Sequence, residues 1–193
     1  MLVLASASPR RRELLTKAGF SFTVHPADIC EDLLPGEEPI PYVTRLAREK
    51  AEAVYRELAP AWEREGVAGQ SLGADTTVFL DNHILGKPED AADAARMLRL
   101  LSGRTHQVAT GIAVVSATGV QATAEITTVE FLPLTEAEID AYIATGEPMD
   151  KAGAYGIQGR ASRWIPRIEG CYFNVVGLPI ARVAALLRPT NRP

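Results

Sequence analysis

The chain has 193 residues, of which 47% are hydrophobic and 23% charged, with a net charge of -4 at pH 7. These values are typical of a globular protein with a proper core, and the acidic balance argues against a nucleic-acid polymer or an anionic membrane as partner. Cys30 and Cys171 form no Cys-x-x-Cys pair, so neither a zinc site nor a disulfide framework is indicated. No stretch approaches the roughly 20 apolar residues that span a bilayer. We therefore expect a cytoplasmic protein.

The chain opens on an apolar run with strand character at Leu2, followed by a predicted helix over residues 9–18. Ser8 stands at the N-cap position, and Pro9 stands in the first turn, where a missing N–H costs little. Free N–H groups, the helix dipole and the arginines at 10–12 all favour an anion at this helix start. A phosphate-binding turn is one hypothesis for the stretch, and a solvated basic helix start is the other.

Further along, predicted strands and helices alternate. The expected elements are a strand over 20–24, a helix over 41–58, a buried strand over 71–80, a hairpin turn at Asp81 and Asn82 with a short returning strand, a helix over 90–101, two paired β-rich runs over 107–115 and 120–132, a capped helix from Thr135 to Gly146, a strand over 163–168 and a helix over 179–187. This order predicts an α/β protein with a mixed sheet, in one domain over 1–193.

Asp75 lies inside the apolar run 72–79, where a buried charge costs several kcal/mol unless it is paired or bound to metal. Such an acid is a candidate functional group, although an aspartate at a strand end also accepts backbone hydrogen bonds. Loop acids Glu31 and Asp32 are candidates to join it as oxygen ligands of Mg²⁺. Lys50 and Lys87 are candidates to meet a phosphate as point charges.

The glycine-rich segment 153–159 is too rich in glycine for an ordinary element. Its glycines allow close approach to a ligand, Tyr155 offers a stacking face and the Gln158 amide offers a donor and an acceptor to a base edge. A surface loop has a similar composition.

The three histidines show no ligand spacing and are predicted to be structural: His25, His83 and His106. P-loop, dinucleotide-binding and Gly-x-Ser-x-Gly motifs are absent, so the inventory suits metal-assisted attack of water on a phosphate ester or anhydride.

Seven stretches follow one another in the order of a known family: LASASPRRRELL at 4–15, RLAREKA at 45–51, GADTTV at 73–78, LGKP at 85–88, LSGRTHQVATG at 101–111, EPMDKAGAYGIQG at 147–159 and NVVGLP at 174–179. On these stretches the sequence resembles the Maf family of nucleoside triphosphate pyrophosphatases, also described as septum-formation inhibitors. The resemblance implies a mixed twisted sheet with flanking helices, two lobes around a central cleft as in inosine-triphosphate pyrophosphatases, and a homodimer. It also implies hydrolysis between the α and β phosphates with Mg²⁺ or Mn²⁺.

By matching position, the resemblance implies that Asp75 is the proton acceptor and that Glu31 helps it hold the metal. The resemblance also implies that Arg10, Thr76 and Gln158 determine substrate choice. It implies a role in activity for Ser6, Lys50 and Lys87, and the two lysines are expected to bind the phosphates. The surroundings of Glu31 diverge from the family pattern, so Asp28 and Asp32 remain alternatives.

Two branches of the family differ in substrate, one acting on dTTP and UTP and the other on 7-methyl-GTP. The stretches at 8–11 and 152–159 are similar to the first branch, with modified pyrimidine nucleotides as further expected substrates. A nucleotide-binding regulator of cell division, without required turnover, is an alternative from another class.

Overall fold

The computed structural model describes residues 1–188. Its strands are β1 Leu2–Leu4, β2 Thr23–Val24, β3 Gln70–Leu80, β4 His83–Leu85, β5 Thr105–Ser116, β6 Gly119–Glu130 and β7 Arg167–Glu169. Its α-helices are α1 Pro9–Lys17, α2 Pro39–Glu65, α3 Ala91–Leu101, α4 Glu136–Ile143, α5 Tyr172–Val176 and α6 Ile180–Leu187. Short 3₁₀ turns cover Glu147–Asp150, Ala152–Ala154 and Arg160–Trp164. Among these helices none combines the length and apolar character needed to cross a membrane.

The strands form one mixed sheet in the order β2-β1-β3-β5-β6-β7, with β4 paired to β3. β1 runs parallel to both neighbours, with Val3 opposite Thr23 on one side and Ser71 on the other. β4 and β7 are antiparallel to β3 and β6. The predicted mixed α/β fold is therefore confirmed, and so is the hairpin, whose turn residues Asp81 and Asn82 both have positive φ.

The chain forms two compact units. Among the described residues, unit 1 comprises Met1–Asp75, Thr110–Glu125 and residues 177–188, and unit 2 comprises Thr76–Ala109 and Ile126–Val176. Unit 2 has a large apolar core of side chains from β3, β5, β6, α3 and α4. Unit 1 has smaller clusters, one of which joins Val3, Ala5, Val54 and Trp62.

In unit 1 the backbone of α2 lies directly on two strands at glycines. A Cβ added at Gly73 of β3 would lie 2.0 Å from the Ala47 carbonyl oxygen, and one added at Gly111 of β5 would lie 2.1 Å from the Val43 carbonyl oxygen. Real Cβ atoms do not approach backbone so closely, so only glycine permits this packing. The contact fixes the position of α2 along β3, and with it the position of Lys50.

Helix α2 is longer than the predicted helix over 41–58, because it begins at Pro39 and continues through Pro60 to Glu65. Trp62 is buried, and Tyr55 packs edge-on against it at 5.6 Å between ring centroids. Burial of this large side chain offsets the helix-breaking tendency of proline, which the local sequence pattern does not reveal.

The predicted strand over 20–24 is mostly wrong, since only Thr23–Val24 pairs. Phe20 N donates to the Leu15 carbonyl at 3.1 Å and so closes the end of α1, with Gly19 in the left-handed conformation. The strand over 163–168 is likewise shortened to Arg167–Glu169. Trp164 instead ends a 3₁₀ turn, and its buried indole donates to Glu138 Oε1 at 3.2 Å.

The end of α4 and the presence of α5 also differ from the sequence prediction. Helix α4 starts in the predicted capping box of Thr135 and Glu138, but it ends at Ile143, and the left-handed Gly146 starts the next 3₁₀ turn. Helix α5 was not predicted, because its buried Asn174 interrupts the apolar pattern. The Asn174 amide donates to the Val108 carbonyl and to Thr127 Oγ1, both at 2.9 Å.

Candidate active site

The turn between β1 and α1 is built by its own hydroxyl groups. Ser8 caps α1 as predicted, accepting the Arg11 N–H at 3.5 Å, and Pro9 occupies the first turn. Ser6 is buried at the end of β1, and its Oγ accepts the Ser8 N–H at 3.3 Å. These contacts fix the conformation of the turn and the start of α1.

Arg11 connects three segments of unit 1. Its guanidinium donates to Ser6 Oγ at 3.1 Å, to the Ala74 carbonyl at 2.8 Å and to the Gly177 carbonyl at 2.9 Å. Burial lowers the pKa of the Arg11 guanidinium, and the nearby Asp75 carboxylate acts in the opposite direction. Sequence reasoning favoured the neighbouring Arg10, which is half-buried on α1.

Lys50 brings the two predicted carboxylates together. Its Nζ lies 2.7 Å from Asp75 Oδ1 and 2.7 Å from Glu31 Oε1. Lys50 and Asp75 are 7% and 8% exposed, whereas Glu31 is exposed. The buried acid predicted from the sequence is thus paired with a buried cation, which offsets the cost of removing both charges from water.

Helix α2 also holds the loop that carries Glu31. Tyr42 Oη donates to the Glu31 carbonyl at 2.9 Å, and burial raises the pKa of Tyr42 to about 12, so its hydroxyl stays a donor. Arg45 donates to the Asp32 carbonyl at 3.0 Å and to both carboxylate oxygens of Glu37 at 2.7 Å. Of the three candidate acids in this loop, Glu31 is the one in contact with Lys50, while Asp32 accepts from Cys30 Sγ.

The two carboxylates suit a divalent cation. Both lie 2.7 Å from the Lys50 ammonium and therefore close to each other, and their hard oxygens are the donors that Mg²⁺ and Mn²⁺ prefer. Within residues 1–188 no group of three or more His, Cys, Asp or Glu side chains is placed to hold a metal. Two carboxylates with phosphate oxygens and water form an ordinary Mg²⁺ site, so the residues present fit.

The other predicted residues belong to unit 2. Thr76 follows Asp75 on β3, and Lys87 is exposed in the loop after β4. That loop is tied to the glycine-rich segment, since Gly153 N donates to the Gly86 carbonyl at 3.0 Å. Gln158 is exposed further along this segment.

Tyr155 does not present a stacking face, so that hypothesis is wrong. The residue is 5% exposed, its hydroxyl lies 2.8 Å from His106 Nε2, and its ring packs edge-on against Phe131 at 4.7 Å between centroids. His106 is buried beside both rings, and its Nδ1 has no hydrogen-bond partner within residues 1–188. Both residues therefore anchor the glycine-rich segment in the core of unit 2.

The buried His106 predicts a pH-dependent stability. Burial lowers the pKa of His106 from 6.5 to about 4. As the pH falls below 6.5, the unfolded chain gains a proton that the folded chain excludes, so stability present above that pH is lost towards pH 4. We expect the free energy of unfolding to fall by about 2 to 3 kcal/mol more in the wild type than in His106→Gln across this window. Urea unfolding of both proteins at several pH values measures the difference, and equal slopes would contradict it.

Residues 1–190 match the family model described as Maf-like protein. The dTTP/UTP pyrophosphatase of Koribacter versatilis (strain Ellin345) is 54% identical over 187 residues, covering 97% of this chain and 93% of that protein. The protein of the same name from Anaeromyxobacter dehalogenans (strain 2CP-C) is 52% identical over 196 residues, covering 100% and 95%. A third, from Geobacter sulfurreducens (strain ATCC 51573 / DSM 12127 / PCA), is 51% identical over 189 residues, covering 97% and 95%. The similarity spans every residue discussed above.

Proposed function

This chain belongs to the family of Maf-like proteins, and from that premise we propose that it hydrolyses dTTP and UTP to the nucleoside monophosphate and pyrophosphate. The observation that carries the proposal is the buried pair of Asp75 and Lys50, with 2.7 Å between Oδ1 and Nζ. A buried, oriented carboxylate with an adjacent cation suits attack of water on a phosphoanhydride. The proteins named dTTP/UTP pyrophosphatase, 54% and 52% identical to this chain, support the choice of substrate.

Asp75 is the proposed proton acceptor for the attacking water. The hydrogen bond from Lys50 to Oδ1 holds the carboxylate in one orientation, which favours proton transfer along a defined direction. The Ala74 carbonyl is in turn held by Arg11 at 2.8 Å, so the backbone next to Asp75 is fixed as well. Charge that develops on the phosphate oxygens during cleavage requires cations close by.

Glu31 and Asp75 are the proposed ligands of Mg²⁺ or Mn²⁺. Such an ion supplies Lewis-acid polarisation of a phosphoryl oxygen and partial neutralisation of the triphosphate when it is bound. The support for this assignment is that both carboxylates lie 2.7 Å from Lys50 Nζ and are therefore close enough to each other to share an ion beside it.

The remaining residues are proposed to bind the nucleotide. Ser6 and the two lysines, Lys50 and Lys87, serve the phosphates as a hydroxyl and as point charges. Arg10, Thr76 and Gln158 serve substrate choice, with the exposed Gln158 amide as donor and acceptor for a pyrimidine edge.

Pyrophosphate release from a panel of canonical and modified triphosphates, with and without Mg²⁺ or Mn²⁺, tests this function. We expect kcat/KM for dTTP and UTP to exceed the values for the other canonical triphosphates by about tenfold or more, because the wrong base leaves one hydrogen-bonding group of the site unpaired. We also expect activity to vanish in a chelator. A higher kcat/KM for 7-methyl-GTP than for dTTP and UTP would contradict the proposed substrates and place the activity in the other branch of the family. Hydrolysis of none would contradict the enzymatic function and favour a nucleotide-binding regulator.

A further inference from the structure

Gln158 lies in a tight turn whose two ends are held from outside. The turn is closed by Gly159 N, which donates to the Gly156 carbonyl at 3.0 Å. At its start, Gly156 N donates to Tyr142 Oη at 3.2 Å. Just after its end, Arg160 N donates to both carboxylate oxygens of Glu147, at 3.1 and 3.2 Å. Side chains from elsewhere in unit 2 therefore bind the backbone on each side of Gln158.

The two holding groups are bonded to each other. Tyr142 Oη donates to Glu147 Oε1 at 2.9 Å. Tyr142 is 1% exposed on α4, with its ring edge-on to Trp164 at 5.2 Å between centroids. Burial raises the pKa of Tyr142, so the hydroxyl remains a donor at neutral pH. We call this pair, Tyr142 and Glu147, the turn clamp.

The Glu147 carboxylate binds the backbone of the turn rather than the ammonium of Lys151. Lys151 Nζ lies close by, but it donates to the Glu147 backbone carbonyl and to Asp150 Oδ1, each at 2.6 Å. The carboxylate also lies against Gly159, where an added Cβ would be 1.8 Å from Oε1. An acceptor-only group thus meets a hydroxyl donor and a backbone donor, with glycine leaving room for it.

We propose that Glu147 and Tyr142 are positioning residues that fix the Gln158 turn and thereby set the selectivity of the enzyme for the pyrimidine base. This inference rests on the proposed function, in which Gln158 contacts the base. The clamp acts on the backbone around Gln158, so its loss misplaces the amide and leaves Asp75 and Lys50 unchanged. A specific hydrogen bond to a base edge is lost when its geometry is loosened, whereas attack on the phosphate continues.

The kinetic test compares UTP with CTP, which exchange an acceptor for a donor on the base edge. In Glu147→Ala we expect KM for UTP to rise about tenfold, the UTP/CTP ratio of kcat/KM to fall about tenfold and kcat to stay within about threefold. Glu147→Gln keeps one acceptor oxygen and should recover part of the ratio. Asp140→Asn is the matched control, an exposed acid on α4 that undergoes the same chemical change. We expect wild-type values from it.

A double-variant cycle tests whether the clamp acts through Gln158. If it does, Glu147→Ala causes no further loss of the UTP/CTP ratio in a Gln158→Ala background. Additive losses would overturn the proposal, and so would a fall in kcat with the ratio unchanged.

Hydrogen exchange separates this inference from the proposed function. The amides of residues 156–160 should exchange at least about tenfold faster in Glu147→Ala and in Tyr142→Phe, while amides of β5 keep their rates and report an intact fold. If the wild-type protein hydrolysed no nucleotide, the proposed function would be contradicted. The exchange rates would still test whether Glu147 and Tyr142 hold the turn. Unchanged exchange at 156–160 would overturn the clamp, whatever the activity.

Discussion

Asp75→Asn should lower kcat for dTTP by about 10² to 10⁴-fold, the range that general-base catalysis contributes. The amide has nearly the same shape as the carboxylate, and its oxygen can still accept the Lys50 hydrogen bond, but it cannot take a proton from water. Lys50 also keeps its contact with Glu31. The fold should therefore persist while turnover is lost.

Steady-state kinetics with circular dichroism and urea unfolding measures both parts of this prediction. Asp140→Asn is the matched control, because Asp140 is an exposed aspartate outside the candidate site that undergoes the same chemical change. We expect the control to keep wild-type turnover. Unchanged turnover in Asp75→Asn would remove Asp75 from the mechanism, and a collapse of the fold in this variant would show that the pair is structural.

Gly73→Ala should lower the free energy of unfolding by about 3 kcal/mol or more, the upper end of what overpacking costs. The new Cβ would lie 2.0 Å from the Ala47 carbonyl and 2.8 Å from Ala51 N, both of which are helix backbone and cannot rotate away. Helix α2 has to move off β3, which separates Lys50 from Asp75. Turnover should therefore fall together with stability.

Gly86→Ala is the control for this substitution, because an added Cβ there meets nothing within 4 Å. Urea midpoints of the two variants and the wild type give the comparison. Equal midpoints for Gly73→Ala and Gly86→Ala would contradict the direct seating of α2 on β3.

Features governed by neighbouring residues were predictable from the sequence. The Ser8 cap, the capping box of Thr135 and Glu138 and the turn at Asp81 and Asn82 all follow from side-chain chemistry within a few residues. Asp75 was predicted from its place inside an apolar run and Lys50 as a candidate phosphate contact, and the family resemblance supported both. Their pairing depends on the packing of α2 on β3, which a single sequence does not display.

Other features had no local signal. Arg10 and Arg11 are adjacent and chemically identical, and only packing decides that Arg11 reaches the Ala74 and Gly177 carbonyls. Tyr155 was interpreted as a stacking face within a glycine-rich segment, yet it is buried against His106. Glu147 lay within a dense polar segment, but its backbone partner at Arg160 is 13 residues away.

The contact between Arg11 and Gly177 has a consequence for synthesis on the ribosome. Arg11 is translated before any of unit 2, whereas its acceptor at Gly177 is translated after all of unit 2. Both segments of unit 2 are then available to fold while unit 1 still lacks its last segment. Since domains generally fold as units during translation, unit 1 begins before unit 2 and acquires the Gly177 acceptor only after it.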